Sequence, residues 1–386
     1  MRNPLSKTIT SIKPSGIRKF FDIVNTMEDA ISLGVGEPDF DTPYFIRDAG
    51  IYSLEKGRTF YTSNSGLIEL REEIRNYLIR KLGVEYDPKS EMIITVGGSE
   101  GIDIALRAML DRDDEVLIPQ PSYVSYEPCT ILAGGKPVII ELKAEDGFKL
   151  KASQILEKIT DKTKILILPF PNNPTGSILN MDELREIAKV CIEKDLYVIS
   201  DEIYCELTYE GEHASIVQIE GMKERTVLIN GFSKSYAMTG WRLGYATGPK
   251  EIIAQMTKIH QYAIMCAPTT SQYAAVEALA HGDEDVAKMR ESYNQRRRFL
   301  LHKFDELGMT CFEPQGAFYV FPSIKRFNMT SEEFATRLLE EQKTAIVPGT
   351  AFGASGEGYV RVSYAYSMER LKEAISRIEK FVRSIS

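Results

Sequence analysis

Residues 164–201 read KILILPFPNNPTGSILNMDELREIAKVCIEKDLYVISD, and two apolar runs in this stretch decide the fold class. ILIL at 165–168 and YVIS at 197–200 are nearly continuous in apolar, β-prone residues, the pattern of strands buried on both faces of a mostly parallel sheet. Between them Met181–Lys194 carries its apolar residues at helical spacing, so the stretch predicts a strand, a crossover helix and a second strand.

Working outward, the same alternation continues. Further strands are predicted at Met92–Val96, Glu115–Ile118, Pro137–Leu142, Thr226–Asn230 and Leu243–Thr247, with a helix at Ser99–Leu110; Lys164–Leu168 and Leu196–Ser200 complete a set of seven. The reading is an α/β protein with a large domain around a mostly parallel seven-stranded sheet. The flanks differ from this centre. Residues 1–45 read as an N-terminal arm that also supplies part of a small domain, punctuated by GVGEPDFDTP at 34–43. Residues 46–284 form the large domain. Residues 285–386 form a smaller α+β domain with long amphipathic helices at Met289–Leu307 and Met368–Ile385 and short strands at 317–321 and 359–363.

Bulk properties narrow the function classes. A formal charge of −8 argues against a nucleic-acid binder, which ordinarily presents a basic face. No run approaches the ~18 apolar residues of a membrane span, and the opening MRNPLSKTITSIKPSG lacks the apolar centre of a signal peptide, so a cytoplasmic enzyme is expected. The cysteines at 129, 191, 205, 266 and 311 are odd in number and none are in CxxC spacing, which points to buried thiols rather than disulfides or a zinc ribbon. The histidines at 213, 260, 281 and 302 show no HExxH spacing, and no metal site is expected.

In open α/β sheets ligands bind beyond the carboxyl ends of the strands, and several polar residues fall there. Asp201 follows YVIS, Asn173 lies in the loop after ILIL, and Ser233 and Lys234 follow Thr226–Asn230. Any one alone reads as a solvated loop residue; their coincidence suggests a site. Gly97-Gly98-Ser99 sits between a strand and a helix and can offer backbone N–H groups and a hydroxyl to a phosphate. Arg242 follows Lys234 closely enough for a turn to bring its guanidinium back beside Ser233 at that phosphate. Pyridoxal phosphate (PLP) requires this set: an amine for its aldehyde, a carboxylate for its pyridine nitrogen, a polar partner for its ring oxygen, and a phosphate cradle.

The string Asn230-Gly231-Phe232-Ser233-Lys234 with Gly240-Trp241-Arg242-Leu243-Gly244 closely resembles the PLP-lysine signature of class I/II aminotransferases, the PLP-dependent transferases of fold type I. PNNPTG at 171–176, SDEIY at 200–204 and GEP at 36–38 match the same family in order. The resemblance is to the aspartate/aromatic subgroup, and SGIRKF, LTYE, GAFYVFPSIK and SYAYSME are similar to Gram-positive N-acetyl-LL-diaminopimelate aminotransferases.

The resemblance implies the following roles. Lys234 is the Schiff-base and proton-transfer lysine, and Asp201 pairs with the pyridine nitrogen. Asn173 and Tyr204 hold the ring oxygen, Ile203 packs on one ring face, and Tyr123 stacks on the other. Gly98, Ser99, Ser233 and Arg242 bind phosphate, and Tyr61 reaches the phosphate of a neighbouring subunit, which implies a homodimer. Arg361 grips the substrate α-carboxylate, assisted by Gly36 and Asn173, with Ile17 also at the substrate. The Asn173–Pro174 bond is a candidate cis peptide. The implied reaction moves an amino group between an L-amino acid and a 2-oxo acid, with glutamate/2-oxoglutarate as one pair and an aromatic amino acid, N-acetyl-LL-diaminopimelate or aspartate as the other partner.

Two departures bear on that partner. Position 99 is often Lys in bacterial aspartate enzymes of the subgroup and is Ser here; position 123 is often Trp and is Tyr here. Two rival readings share these motifs: a C–S β-lyase on the same scaffold, and a ligand-sensing domain fused to a DNA-binding module. The second would need a winged-helix segment larger than the arm available.

Overall fold

The computed structural model describes residues 2–14, 27 and 29–385. Its centre is a seven-stranded sheet: β1 Met92–Thr95, β2 Glu115–Gln120, β3 Lys136–Glu141, β4 Thr163–Leu168, β5 Tyr197–Asp201, β6 Thr226–Gly231 and β7 Gly244–Thr247. The spatial order is β1-β7-β6-β5-β4-β2-β3. β7 pairs antiparallel with both of its neighbours, while every other pairing is parallel. The reason lies in the connections. Long crossovers carry the chain back between parallel strands: Met181–Glu193 lies between β4 and β5, and residues 202–225, with only the 3-10 segments Cys205–Leu207, Ile216–Gln218 and Lys223–Arg225, run between β5 and β6. Residues 232–243 instead join β6 to β7 through a short turn that holds one 3-10 segment, Thr239–Trp241. That turn stays at the carboxyl edge of the sheet, where Lys234 lies.

Side chains alternate across each strand, and both faces are covered. Ile165, Ile167, Ile199, Val227 and Ile229 pack on one side against the helices Gly98–Met109 and Lys250–Ala263. Leu166, Leu168, Val198 and Leu228 face the other side, in the larger core. The helix Met181–Glu193 starts on a reciprocal cap: the Asn180 side chain accepts from the Glu183 backbone N–H at 2.9 Å, and the Glu183 carboxylate accepts from the Asn180 N–H at 2.8 Å.

Beyond the sheet, Ile31–Ser32 pairs in parallel with Thr344–Ala345, which ties the N-terminal segment to the C-terminal region. There Val360–Ser363 is the middle strand of a three-stranded antiparallel sheet between Val347–Pro348 and Tyr319–Val320. The long helix expected from Met289 begins earlier, spanning Asp283–Glu306, because Asp283, Glu284 and Asp285 suit a helix N-terminus, where the backbone dipole favours negative charge. The helix Met368–Ile385 has the expected bounds. No helix among the described residues is long and apolar enough to cross a membrane.

Candidate active site

At the carboxyl edge of the sheet lies a cavity of 410 Å³. Of the cofactor and substrate residues expected from the sequence, all except Tyr61 and Ile17 line it. Ile17 and the SGIRKF stretch fall outside the described residues. Tyr61 is 81% exposed on the surface, away from the cavity of its own chain.

Close backbone approach builds one end of the cavity. Gly231 on β6 faces Gly244 on β7, and a Cβ on Gly244 would lie 2.7 Å from the backbone of Gly97 and Gly98. The glycines therefore let the turn after β1 rest directly on β7. Gly97 adopts φ +78°, and a Cβ there would meet the Arg242 guanidinium at 2.7 Å, so the cation lies over this turn. Arg242 Nη1 donates to the Thr239 carbonyl at 3.0 Å. The helix Gly98–Met109 starts with no side-chain cap, which leaves its first N–H groups for an anion. Ser233 is buried in the same wall.

Asp201 ends β5 as a buried carboxylate. It accepts from the Tyr126 phenol at 2.6 Å and from the Ile203 backbone N–H at 3.3 Å. Burial pushes its pKa up to about 6, against the opposing pull of these two donors. Lys234 Nζ donates to the Gly36 carbonyl. Burial pushes its pKa down to about 8; Glu37 and Asp201 act against that shift, while Arg361 and Arg242 add to it.

The opposite wall holds Arg361, in the middle strand of the small antiparallel sheet. Its Nη1 donates to Asn173 Oδ1 at 2.8 Å and its Nη2 to the Gly34 carbonyl. The guanidinium lies 4.3 Å from the Tyr319 ring centroid and 4.7 Å from that of Phe352. Its Nε is buried without a hydrogen-bond partner among the described residues. The phenols of Tyr204 and Tyr319 bond each other at 2.8 Å, and burial followed by the Tyr319 contact holds Tyr204 protonated well above its ordinary range. Gly36 is a glycine by necessity: a Cβ there would lie 2.2 Å from the Tyr319 hydroxyl. The Asn173–Pro174 bond is cis. Ser99 Oγ and the Tyr123 hydroxyl lie 3.3 Å apart.

Sequence reasoning assigns no role to Tyr126 or Tyr319. Tyr319 stands in GAFYVFPSIK, a stretch that carries only the family likeness, and Tyr126 follows Tyr123 by three residues; neither position carries a local signal of the partner that it meets.

These residues fit PLP. Asp201 is a buried acid bonded only to neutral donors among the described residues, which suits the N–H of a pyridinium. The uncapped helix start beneath Arg242 suits a phosphate, and the Arg361 Nε, without a partner among the described residues and beside Nη groups that are already anchored, suits a carboxylate.

Comparison with known proteins gives a consistent answer. Residues 28–378 match the family model "Aminotransferase class I and II". An aspartate aminotransferase of Pyrococcus abyssi is 46% identical over 98% of both chains, and aromatic-amino-acid aminotransferase 2 of Thermococcus litoralis is 44% identical over 98% of both. The structure of Thermus thermophilus aspartate aminotransferase with maleate superposes with a TM-score of 0.94 at 38% identity, covering 98% of this chain and 100% of that one, and the shared architecture is fold type I. The chain is an enzyme and belongs to the class I and II aminotransferases.

Proposed function

We propose that this enzyme uses PLP to move an amino group between an L-amino acid and a 2-oxo acid in the cytoplasm, with glutamate/2-oxoglutarate as one pair and an aromatic amino acid or N-acetyl-LL-diaminopimelate as the preferred other donor. The convergence of the Lys234 amine, the Asp201 carboxylate and the Arg361 guanidinium on one cavity carries this reading. PLP supplies an electron sink that stabilises negative charge at the substrate α-carbon. Lys234 would hold the cofactor through its amine and would move the proton at the substrate α-carbon, a task matched by a pKa lowered to about 8. Asp201 keeps the ring nitrogen protonated, and Tyr126 fixes the carboxylate that does so. Tyr204 and Asn173 hold the ring oxygen, Ile203 and Tyr123 flank the ring, and Gly98, Ser99, Ser233 and Arg242 bind the phosphate. Arg361 binds the α-carboxylate as a fork, with Gly36 and Asn173 beside it.

The relatives carry different substrate names, so the donor preference rests on this chain's own cavity. Ser99 turns to the Tyr123 hydroxyl and offers no cation to a distal carboxylate. A homodimer is supported by large exposed aromatics: Phe60, Tyr61 and Tyr262 are each more than four-fifths exposed. Their segments adjoin, since Thr269 donates to the Phe60 carbonyl at 2.8 Å and Asn64 to the Met265 carbonyl at 2.8 Å. Five free cysteines accord with a reducing compartment. The deciding experiment adds single amino acids to the PLP-loaded enzyme and follows its absorbance. Reaction with glutamate and with an aromatic or N-acetyl-diaminopimelate donor is expected. Pyruvate and ammonia released from cystathionine without any 2-oxo acid would replace this reading with a lyase.

A further inference from the structure

His260 has no part in the chemistry above, yet it is fully buried beneath the site. It lies on the helix Lys250–Ala263, which packs along Gly98–Met109. Its Nδ1 lies 2.6 Å from Glu100 Oε1, and its exposure is 0%. A carboxylate accepts, so Nδ1 is the donor in this bond, and Nε2 is buried with no hydrogen-bond partner among the described residues. The other oxygen of Glu100 accepts from the backbone N–H of Val96. Val96 opens the turn that Gly97, Gly98 and Ser99 complete, and this turn lies under the Arg242 guanidinium. A second bond fixes the same turn, from Thr95 Oγ1 to the Gly97 carbonyl at 2.9 Å.

We propose that His260 and Glu100 form a positioning clamp for phosphate recognition, in which His260 orients the Glu100 carboxylate, Glu100 pins the Val96 N–H, and the pinned turn aims the first N–H groups of the helix at the cofactor's phosphate. The inference rests on the PLP reading above. Burial is what gives the clamp its effect. A carboxylate this close to a bound phosphate would repel it if free to swing toward the cavity, and the His260 bond holds it on the far side of the turn. Without the imidazole, Glu100 is released and the Val96 N–H loses its only side-chain acceptor among the described residues. Neither residue touches cofactor or substrate, so the effect falls on affinity for the phosphate rather than on proton transfer.

The test uses the full chain freed of cofactor. Its single tryptophan, Trp241, adjoins Arg242, and quenching of its emission reports binding. Titrations with PLP and with pyridoxal, which lacks the phosphate, are compared for wild type, His260→Ala, His260→Asn, Glu100→Ala and the double variant. His260→Ala should weaken PLP about 10-fold, the scale of one lost charge-assisted hydrogen bond, and pyridoxal less than about 3-fold. His260→Asn places an amide N–H near the Nδ1 position and should restore most of the loss. The double variant should be no worse than Glu100→Ala, because His260 acts through Glu100. Equal weakening of both ligands, no weakening of PLP, or additive losses in the double variant would overturn the clamp. If the His260→Ala chain fails to fold, the same comparison of PLP with pyridoxal in His260→Asn and Glu100→Ala decides. If wild type binds no PLP, the functional reading falls with the clamp; if wild type binds and the PLP-to-pyridoxal ratio stays constant across variants, only the clamp falls.

Discussion

The Tyr126 phenol donates to Asp201 Oδ2 at 2.6 Å, joining the first turn of the helix Tyr126–Leu132 to the end of β5 across 75 residues of sequence. A buried carboxylate bonded to neutral donors, with no cation in direct contact among the described residues, keeps its charge only at a cost, and a protonated ring nitrogen would offset that cost. Asp201→Ala should therefore lower kcat by at least ~100-fold, the scale of removing a positioned electrostatic group. Tyr126→Phe leaves the carboxylate in place but less firmly oriented, and should cost about 10-fold. A loss below tenfold for Asp201→Ala would reduce this residue to a strand-end charge.

The same carboxylate makes stability depend on pH. Its folded pKa of about 6 lies above the ordinary 3.8, so the folded chain binds this proton more tightly than the unfolded chain does. The contribution is full below the unfolded value and is lost as pH rises through the folded one. Without cofactor, the chain should lose about 3 kcal/mol between roughly pH 4 and pH 7 from this group. Asp201→Asn should flatten that part of a denaturant-measured stability profile, and should be more stable than wild type at neutral pH while inactive. An unchanged profile would show that Asp201 is solvated in the cofactor-free chain.

Lys234 titrates in the opposite sense. Burial lowers its pKa to about 8 from the ordinary 10.5, so free amine appears at lower pH than for a surface lysine. Capture of PLP by the cofactor-free chain, followed by absorbance, should accelerate about 10-fold from pH 7 to pH 9 and then level off. A rate that climbs tenfold per pH step through pH 10 would mean an unperturbed amine. Lys234→Ala should still bind PLP without the covalent link and should have no measurable transamination.

How far the sequence reaches is visible in these residues. Asp201, Lys234 and Asn173 are legible because each follows an apolar strand, and strand ends point at the ligand edge of such a sheet. The antiparallel setting of β7 is not, since direction depends on whether the connection returns to the opposite edge of the sheet, and the 232–243 segment gives no periodic signal either way. Tyr126, Tyr319 and His260 stay silent for a different reason. Each meets residues from other segments, Tyr126 reaching Asp201, Tyr319 reaching Tyr204 and Arg361, and His260 reaching Glu100, and such distant contacts leave no spacing pattern. For His260 the sequence raises only the question of a metal ligand, which looks to other histidines and passes over a carboxylate 160 residues away.

Arg361 is held by Asn173 Oδ1 and the Gly34 carbonyl and lies near the Tyr319 and Phe352 rings, so its guanidinium is fixed in place for the carboxylate role proposed above. Arg361→Lys keeps the charge and loses the planar pair of N–H donors. KM should rise about 10-fold or more for every amino acid and every 2-oxo acid, because all share the α-carboxylate. Damage confined to one substrate class would instead make Arg361 a side-chain specificity residue.

The proposed donor preference rests on Ser99. Its hydroxyl lies 3.3 Å from that of Tyr123, both on the cavity wall, so the position where related aspartate enzymes often carry a lysine here holds a neutral pair. A distal carboxylate bound there lacks a charge-assisted contact worth roughly 1.5–3 kcal/mol, or about 10- to 150-fold in kcat/KM. Aromatic and N-acetyl-diaminopimelate donors do not depend on that contact, and the Tyr123 ring offers them apolar surface. Against 2-oxoglutarate, aspartate should therefore show a lower kcat/KM than phenylalanine, tyrosine or N-acetyl-LL-diaminopimelate. Ser99→Lys should raise kcat/KM for aspartate by about 10-fold or more while leaving the aromatic donors unchanged or weaker, since the new ammonium must be desolvated against a ring. If wild type prefers aspartate tenfold over all the others, a cation other than residue 99 serves the distal carboxylate. If Ser99→Lys shifts every donor equally, residue 99 acts on the cofactor's phosphate and leaves discrimination to other parts of the wall.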